Sequence, residues 1–558
     1  MKKKINTVYY IITSLLVCLY IVSCNEDKGN YTYRDISEAE IENSKVTDTI
    51  DIEPNSPIFI DPKVTYSDGV GKGSYTYRWR YQKRVSNNVS YPIMSSSDET
   101  AVLDLEQLPL DLRITNNYDV YLQIENNETG IIYQKKYLFR VKNKIQTGYL
   151  AISEKKAGVE LELVSSFIED GVTILMPYRS ILDFSGSTYL KDGRKPLGIY
   201  TCNDATAPEP NDLSIGKILY SVFLLTDQST DRVNAIDYSF KDAYNLSKIS
   251  YISDNLLTEG LVAKKMRGIT ASATATQYYG YISGHWYFAS RYMSILNFMH
   301  PINRYKGTST LYKAAPYIGV NASGAVLFNE DENCFMIQTY DSFDDLYVIN
   351  TTNLWGTTKI IDNEGDAFSF NNKNYELIYM DSKSTNEIFV IVRNKETSDY
   401  ELLLFGMRSG MVTPGSRIRK VIPQSVDMST IKRYAFNPSE PIIYMATDDK
   451  LYIGLASGAN MSVKEITDQL QLPAGHKISC IKNLKSFKSS QRNLLTVATY
   501  DPNGDLDTSG ALHFFEMNIT TGNITLAKHP EKAAEGVSQI DMKWGDFGKI
   551  IDIDYKEK

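Results

Sequence analysis

The stretch IIYMATDDKLYIG, residues 442–454, carries the pattern that decides the fold of most of this chain. Five apolar or aromatic residues are followed by the turn Asp448-Asp449-Lys450, and a second apolar run begins at Leu451. Short apolar runs bounded by polar turn residues predict β-strands that are buried on both faces. The segment FNPSE at residues 436–440 supplies a turn before the first run. The unit is therefore predicted to be a strand, a turn and a strand of an antiparallel sheet.

The same unit recurs from about Gly148 to the end of the chain. Comparable apolar runs lie at residues 325–328, 334–337, 346–349, 376–380, 387–392, 400–405, 494–500 and 511–515. Repetition of such strand sets every 40 to 60 residues or so predicts the blades of a β-propeller, and about 410 residues would form seven or eight blades. A string of β-sandwiches is the alternative, but no Pro/Gly/Ser-rich linkers separate the repeats. Residues 148–153 and 548–553 are suitable partners for closing the ring of blades.

A different all-β segment precedes the repeats, from about Tyr31 to Val141. Its clearest strand, YTYRWRY at residues 75–81, places three tyrosines and Trp79 on one face and polar residues on the other. Two more strands are predicted at residues 118–125 and 132–141, with a hairpin turn between them. These features resemble the immunoglobulin-like PKD fold, which needs no paired cysteines. Trp79 is expected in the core of this sandwich, and a platform for stacking a ligand is the alternative.

The amino terminus reads as a lipoprotein signal peptide. Three lysines precede an apolar run at residues 5–22, and Ser23-Cys24 ends the segment in a way that resembles the bacterial lipobox. Cys18 offers no rival site because bulky Val17 precedes it. Lipidation of Cys24 would attach several acyl chains, which suffices for stable anchoring without a membrane span. An uncleaved membrane anchor is the alternative interpretation.

The segment NEDKGNY, residues 25–31, follows the predicted lipidation site. An acidic stretch in this position resembles the signal that exports lipoproteins of Bacteroidetes to the outer face of the outer membrane. A solvated tether is the other interpretation of a short charged segment. The predicted organisation is a signal peptide at residues 1–23, a tether at 24–35, a PKD-like sandwich at 36–145 and a propeller at 146–558.

Composition limits the function classes that remain. The chain carries a formal charge of −8, and since residues 1–23 hold three lysines and no acidic residue, the remainder carries −11. This balance argues against a nucleic-acid partner. Beyond Cys24 and the signal peptide, only Cys202, Cys334 and Cys480 remain, which implies neither a disulfide framework nor a cysteine metal motif.

Candidate binding residues are few. The usual motifs of zinc metalloproteases, α/β-hydrolases and P-loop proteins do not occur in the sequence. The aromatic segment His285-Trp286-Tyr287 could line the mouth of a propeller and bind a ligand, and a packed core between blades is the alternative.

One loop has the composition of a calcium site. Asp501, Asn503, Asp505 and Asp507 place oxygen ligands at alternate positions, as in the first half of an EF-hand loop. The glycine is displaced and no glutamate follows at the twelfth position, so a plain hairpin turn is the alternative. Apart from a structural calcium ion, the sequence predicts no cofactor.

Taken over its whole length, the chain resembles the PKD-like lipoproteins of Bacteroidetes. The resemblance rests on DKGNY at residues 27–31, GYL at 148–150 and FGKI at 547–550. It implies an all-β protein with an immunoglobulin-like (PKD) sandwich followed by a seven- or eight-bladed propeller. It also implies a surface lipoprotein of the outer membrane that captures or presents peptide or glycan beside a SusC/SusD-type importer.

Two other functions stay open at this point. A propeller-fold hydrolase, a glycosidase or a peptidase, would need two buried carboxylates that face one central cavity. A structural scaffold of the importer would need a large complementary surface and no small-molecule pocket. The sequence favours a protein that works without catalysis, because it offers no catalytic motif.

Overall fold

The computed structural model describes most of the chain after residue 116 and separate segments before it. The described residues are 12–15, 38–42, 49–52, 58–67, 75–83, 90–96, 103–105, 117–141, 145, 147–169, 172–204, 219–235, 238–240, 245–251, 261–272, 275–292, 295–298, 301–321, 324–339, 356–382, 386–408, 411–413, 416–483, 494–518, 520–530 and 539–556. Within these ranges, no helix combines the length and the apolar character that crossing a membrane requires. Cys24, the predicted tether at 24–35 and the predicted strand at 346–349 lie outside the described residues.

The chain divides into two compact units, residues 1–142 and 143–558. Nine strands are described in the first unit: β1 (Ala39–Glu42), β2 (Thr49–Ile52), β3 (Ile58–Ile60), β4 (Lys63–Tyr66), β5 (Tyr75–Lys83), β6 (Ser90–Ser96), β7 (Leu103–Leu105), β8 (Asn117–Asn126) and β9 (Ile132–Val141). They form a five-stranded sheet in the order β2-β9-β8-β5-β6 and two pairs, β1-β4 and β3-β7. The small all-β sandwich that the sequence predicts for this part of the chain is confirmed.

The first unit has one core between these sheets. The alternation in β5 buries Trp79, which is 1% exposed, and leaves Arg78 and Arg80 half-buried on the other face. The ring of Trp79 lies 5.5 Å from the ring of Tyr137 on β9. Ile60 and Leu103, from the short pair β3-β7, join the same core. The prediction that Trp79 is a core residue is confirmed, and its ring is not available as a surface platform.

The second unit begins with strands β10 (Gly148–Lys155), β11 (Gly158–Glu169), β12 (Val172–Tyr178), β13 (Pro196–Asp204), β14 (Leu219–Thr226), β15 (Thr230–Asn234), β16 (Ser250–Tyr251), β17 (Ala263–Ser272), β18 (Ala275–Ile282), β19 (His285–Tyr292), β20 (Ile295–Asn297), β21 (Gly319–Asn321), β22 (Gly324–Asn329), β23 (Cys334–Thr339) and β24 (Thr358–Lys359). It continues with β25 (Tyr375–Ser382), β26 (Glu387–Asn394), β27 (Tyr400–Arg408), β28 (Met411–Val412), β29 (Ile418–Val421), β30 (Arg433–Phe436), β31 (Ile442–Ala446), β32 (Leu451–Leu455), β33 (Ser462–Glu465), β34 (Lys477–Asn483), β35 (Leu494–Tyr500), β36 (Gly510–Met517), β37 (Ile524–Leu526), β38 (Lys528–Pro530), β39 (Gln539–Asp541), β40 (Lys543–Phe547) and β41 (Lys549–Lys556). Short helices lie in the connections: α1 (Ile181–Phe184), α2 (Leu246–Ile249) and the 3-10 turns Thr188–Leu190, Met428–Thr430 and Thr467–Leu470.

These strands form seven blades within the described residues. From the innermost strand outward, blade 1 is β41-β10-β11-β12, blade 2 is β13-β14-β15, blade 3 is β17-β18-β19-β20 with β16 at its edge, and blade 4 is β21-β22-β23-β24. Blade 5 is β25-β26-β27 with β28 and β29 on β27, blade 6 is β30-β31-β32-β33, and blade 7 is β34-β35-β36 with β37 and β40 on β36. The remaining pair is β38-β39. The architecture is a β-propeller, and the seven blades found among the described residues equal the lower of the two predicted blade numbers.

The ring closes because the last strand completes the first blade. Strand β41 pairs antiparallel with β10, with Gly148 opposite Lys556 and Glu154 opposite Lys549. The predicted pairing of residues 148–153 with residues 548–553 is therefore confirmed. Seven apolar cores, one for each pair of neighbouring blades, continue around the ring, including a core between blades 7 and 1. Each blade is packed on both sides, which explains why middle strands such as β22 and β31 are buried along their whole length.

Asparagines set several of the tight turns. The side-chain Oδ1 of Asn437 accepts hydrogen bonds of 2.8 Å from the backbone N–H groups of Ser439 and Glu440. Asn329 and Asn518 make the same pair of hydrogen bonds in turns of other blades. This local bond replaces the backbone bonds that a strand would make, so the chain reverses at these positions.

Candidate functional site

Charged side chains from four blades meet near the centre of the propeller. We call this group the axial cluster; its members are Lys265 and Arg267 on β17, Asp381 on β25, Lys482 on β34, and Asp552 and Asp554 on β41. All four strands are the innermost strands of their blades. Innermost strands contact one another around the ring, for example β13 with both β41 and β17. The topology thus brings together residues that are far apart in the sequence.

Strand alternation places these charges outside the apolar cores. Met266 is 1% exposed and belongs to the core between blades 2 and 3, so Lys265 and Arg267 on either side of it project from the other face of β17. Ile553 is 0% exposed and belongs to the core between blades 7 and 1, and Asp552 and Asp554 flank it in the same way. One apolar residue between two charged ones is the repeated local pattern of the site.

Ion pairs and backbone hydrogen bonds hold the carboxylates. Lys482 Nζ lies 3.0 Å from Asp552 Oδ1, and Arg267 Nε lies 3.6 Å from Asp381 Oδ1. Asp552 Oδ2 accepts a 3.2 Å bond from the N–H of Ile199, and Asp554 Oδ2 accepts a 2.8 Å bond from the N–H of Thr201. Both carboxylates of β41 therefore accept hydrogen bonds from backbone N–H groups at the edge of β13, which is the innermost strand of the next blade.

The charged side chains of the axial cluster keep contact with solvent. The exposed fraction is 32% for Arg267 and 19% for Asp381, and 27% for Lys482 and 25% for Asp552. A ligand that reached the centre of the ring could contact them.

Burial and neighbouring charges shift several pKa values in the cluster. Burial and the repulsion of Arg267 together lower the pKa of Lys265 to about 8, although Asp381 and Asp552 oppose the shift. Burial raises the pKa of Asp554 above its usual value despite the attraction of Lys482. For Lys482 the burial effect is outweighed by Asp552 and Asp554, so its pKa is raised. Lys265 is thus the member of the cluster whose charge changes near neutral pH.

A row of tyrosines continues from Lys265. Lys265 Nζ lies 3.8 Å from the ring centre of Tyr317, a cation–π contact. The ring of Tyr379 lies 5.1 Å from that of Tyr317 and 5.0 Å from that of Tyr434. The Tyr379 hydroxyl donates a 3.4 Å bond to Asp381. A cavity of about 30 Å³ lies among Lys265, Arg267, Tyr317 and Tyr379, which is enough for ordered water or the end of a ligand.

The structure places two of the three predicted ligand-binding residues in a core. Trp286 and Tyr287 on β19 are 1% and 0% exposed, and the Trp286 Nε1–H donates a 2.9 Å bond to the carbonyl of Ala315. His285 is half-buried, and its Nδ1 lies 3.0 Å from Asn303 Nδ2. The side chains of Trp286 and Tyr287 point into the cores on the two sides of blade 3. Their burial favours the packed-core alternative, although Trp286 also borders the small cavity beside Lys265 and Tyr317.

The four predicted calcium ligands form two local turns. Asp501 Oδ1 accepts from the N–H of Asn503, and Asp505 Oδ1 accepts from the N–H of Asp507. Lys156 Nζ lies 2.7 Å from Asp505 Oδ2. No group of three or more His, Cys, Asp or Glu side chains among the described residues is arranged to hold a metal ion. The geometry is that of the plain turn, with a lysine ammonium supplying the positive charge.

Sequence reasoning missed the axial cluster. Its signal was present in KIIDIDYK, residues 549–556, where two aspartates alternate with apolar residues in a strand predicted to close the ring. Alternation of this kind normally indicates a solvent-facing side. The face of β41 that carries Asp552 and Asp554 points toward other blades because β41 is the innermost strand of its blade.

Part of the chain matches a known family. Residues 24–182 match the model of the PKD-like family, so the matched region starts at Cys24 and includes β10, β11 and β12 of blade 1. No curated protein matches the sequence.

Several solved structures are similar at low identity. A quinonprotein alcohol dehydrogenase-like protein from Bacteroides thetaiotaomicron has 10% identity and a TM-score of 0.35, with 93% of this chain and 99% of that chain covered. AztD from Citrobacter koseri has 10% identity and a TM-score of 0.29, with 86% and 98% covered. PorZ, a surface component of the type IX secretion system of Porphyromonas gingivalis, has 11% identity and a TM-score of 0.24, with 83% and 52% covered.

Proposed function

We propose that this chain is a lipid-anchored protein of the outer membrane, facing the cell exterior, that binds or presents a peptide or glycan for a SusC/SusD-type importer. The anchor is the thioether-linked lipid on Cys24, and no nucleic acid or span of the membrane is involved. The match to the PKD-like family from residue 24 supports a mature chain that starts at this cysteine.

The observation that carries the binding function is the axial cluster. Cations, carboxylates and tyrosines from separate blades meet in one place, and their side chains remain partly accessible. Such mixed polar groups around a concave site are typical of ligand recognition. The carboxylates are engaged by backbone N–H groups and by Lys482, which suits a rigid binding site better than proton transfer.

The anchor is tested with two cysteine variants. Metabolic labelling with a fatty acid should label the wild-type chain and C18A but not C24A, because Cys18 lies within the predicted signal peptide. Protease treatment of intact cells should degrade the labelled chain if it faces outward. Equal labelling of C24A and C18A would contradict the proposed anchor.

The partner is tested by purifying the tagged lipoprotein from native outer membranes and identifying the bound proteins by mass spectrometry. Recovery of a SusC/SusD-type pair supports the accessory role, and that importer's substrate then becomes the first ligand to test. Recovery of the lipoprotein alone argues against a stable complex.

A glycoside hydrolase is the second candidate, because Asp552 and Asp554 project from the same face of β41 toward the centre. The raised pKa of Asp554 is what a general acid would need. Turnover assays on glycans with the wild-type chain, D552N and D554N decide this point. Hydrolysis that both variants abolish would replace the binding function by catalysis.

A further inference from the structure

The cavity beside Lys265 is lined by two cationic residues and by no acidic one, although Asp381, Asp552 and Asp554 lie nearby. Lys265 and Arg267 both line the cavity, and Asp381 is the acidic residue that pairs with Arg267 there. No ion pair between described residues involves Lys265; its neighbour is the ring of Tyr317 at 3.8 Å. A half-buried ammonium without a carboxylate partner is unusual, because burying a charge is costly unless it is paired.

The groups that face Lys265 explain this arrangement. Arg267 lies on the same strand, Tyr317 precedes β21, Tyr379 and Asp381 come from β25, and Asp552 comes from β41. The two acidic groups act on Lys265 only at longer range, while Arg267 repels it. The cavity therefore offers an ammonium and a guanidinium beside two tyrosine rings, and these two cations are groups that bind a carboxylate.

We infer that the cavity between Lys265, Arg267 and Tyr317 binds a carboxylate group of the ligand. This inference rests on the proposed binding function and narrows it: the ligand is an acidic molecule, either a peptide through a carboxylate or a glycan that contains uronic acid. The rings of Tyr317 and Tyr379 supply a surface for the atoms next to that carboxylate.

Binding of an anion beside Lys265 takes up protons. Without a bound anion, a pKa of about 8 leaves Lys265 partly deprotonated at pH 8, and a bound carboxylate stabilises the ammonium form. We expect the number of protons taken up per ligand to be a fraction of one at pH 8 and close to zero at pH 6. Calorimetry in two buffers of different ionisation enthalpy measures this number directly.

The experiment uses the full chain and four probes in two matched pairs. Tri-galacturonate is compared with galactotriose, and trialanine with trialanine amide, so that each pair differs chiefly in its carboxylates. We expect at least one acidic probe to bind tenfold or more tightly than its neutral partner. The pair that shows the difference identifies the source of the carboxylate.

Three variants test whether Lys265 is responsible for the binding of the acidic probe and for the proton uptake. K265M should weaken binding of the acidic probe at least tenfold, whereas K264M, which changes the exposed lysine beside it, should bind as the wild type does. K265R keeps a positive charge at all accessible pH values, so it should retain binding but lose the proton uptake at pH 8. Circular dichroism and the melting temperature show whether each variant is folded.

The outcomes separate this inference from the proposed function. Equal binding of the acidic and neutral members of both pairs, or equal binding by K265M and K264M, would overturn the carboxylate site and leave a binding protein. Failure of all four probes to bind at millimolar concentration would overturn the carboxylate site. If the importer is also not recovered from membranes, the proposed function falls with it.

Discussion

The backbone N–H of Gly548 donates a 3.0 Å hydrogen bond to Oε1 of Glu162, although 386 positions separate the two residues. Gly548 directly precedes β41, and Glu162 lies on β11 of the blade that β41 completes. The same carboxylate lies 3.0 Å from Lys155 Nζ, and its side chain is 1% exposed. A buried carboxylate therefore fixes the point at which the closing strand begins.

Replacing Glu162 by glutamine should flatten the dependence of stability on pH. Burial raises the pKa of Glu162 from 4.5 to about 7, and Lys155 and the Gly548 N–H only partly oppose the shift. The folded state therefore holds this proton more tightly than the unfolded state. The resulting stabilisation is complete below pH 4.5 and is lost as the pH rises to about 7.

This contribution is of the order of 3 kcal/mol for the wild type and should be missing in E162Q, whose amide cannot ionise. Urea denaturation between pH 4.5 and 8 measures the difference between the two proteins. E154Q is the matched control, because Glu154 is a neighbouring carboxylate that is 33% exposed. Parallel pH profiles for the wild type and E162Q would contradict the prediction.

Gly548 should not tolerate a side chain. A Cβ at this position would lie 2.8 Å from Ser153 Oγ and 2.9 Å from the carbonyl oxygen of Glu154, both in the strand that pairs with β41. We expect G548A to lower the free energy of unfolding by about 1–3 kcal/mol.

The control is G545A, since a Cβ at Gly545 would meet no atom within 4 Å. It should change the free energy of unfolding by less than about 0.5 kcal/mol. Guanidinium denaturation of both variants makes the comparison, and equal stability of G548A and G545A would show that the closure is not tightly packed.

Strands of the blades could be predicted from the sequence because each one is a short apolar run between polar turn residues. Residues 442–446 and 451–454 were predicted as strands and lie in β31 and β32. The closing pair was predictable as well, since propellers commonly close their ring by pairing strands from the two ends of the chain. The tyrosines around Trp79 were predicted on one face of their strand, and that face is buried. The prediction succeeded because side chains alternate between the two faces of a sheet with a period of two.

The candidate site could not be predicted in this way, because its residues become neighbours only in the closed ring. Lys482 and Asp552 are 70 positions apart and come from different blades. The prediction for Trp286 rested on a different kind of signal. An aromatic run near a histidine suggests an exposed mouth, but the cores on both sides of this strand bury Trp286, Tyr287 and Phe288.

Truncation of Trp79 should unfold the first unit selectively. The ring fills the core of the sandwich beside Tyr137, and removal of a buried aromatic side chain typically costs about 3–5 kcal/mol. Limited proteolysis at increasing denaturant concentration measures the protection of each unit. In W79A, residues 36–142 should lose their protection while the propeller remains protected. F59A is the control, because Phe59 is 69% exposed. Simultaneous loss of both units in W79A would contradict this expectation.

Lys482 and Asp552 should show energetic coupling. Their 3.0 Å ion pair is about three-quarters buried on both sides, and removal of Lys482 would leave Asp552 without its ion-pair partner. We expect K482M alone to destabilise the propeller by about 1–3 kcal/mol.

A double-mutant cycle with K482M and D552N should give a coupling of about 0.5–2 kcal/mol, measured by urea denaturation at constant ionic strength. The exposed pair Lys528 and Asp541, at 3.7 Å, is the comparison, and its cycle should give less than about 0.5 kcal/mol because water screens it. Similar values for the two cycles would mean that solvent fills the centre of the ring freely. In that case, the axial cluster would bind ligands through hydrated charges, and the affinity of the acidic probes would fall steeply with salt.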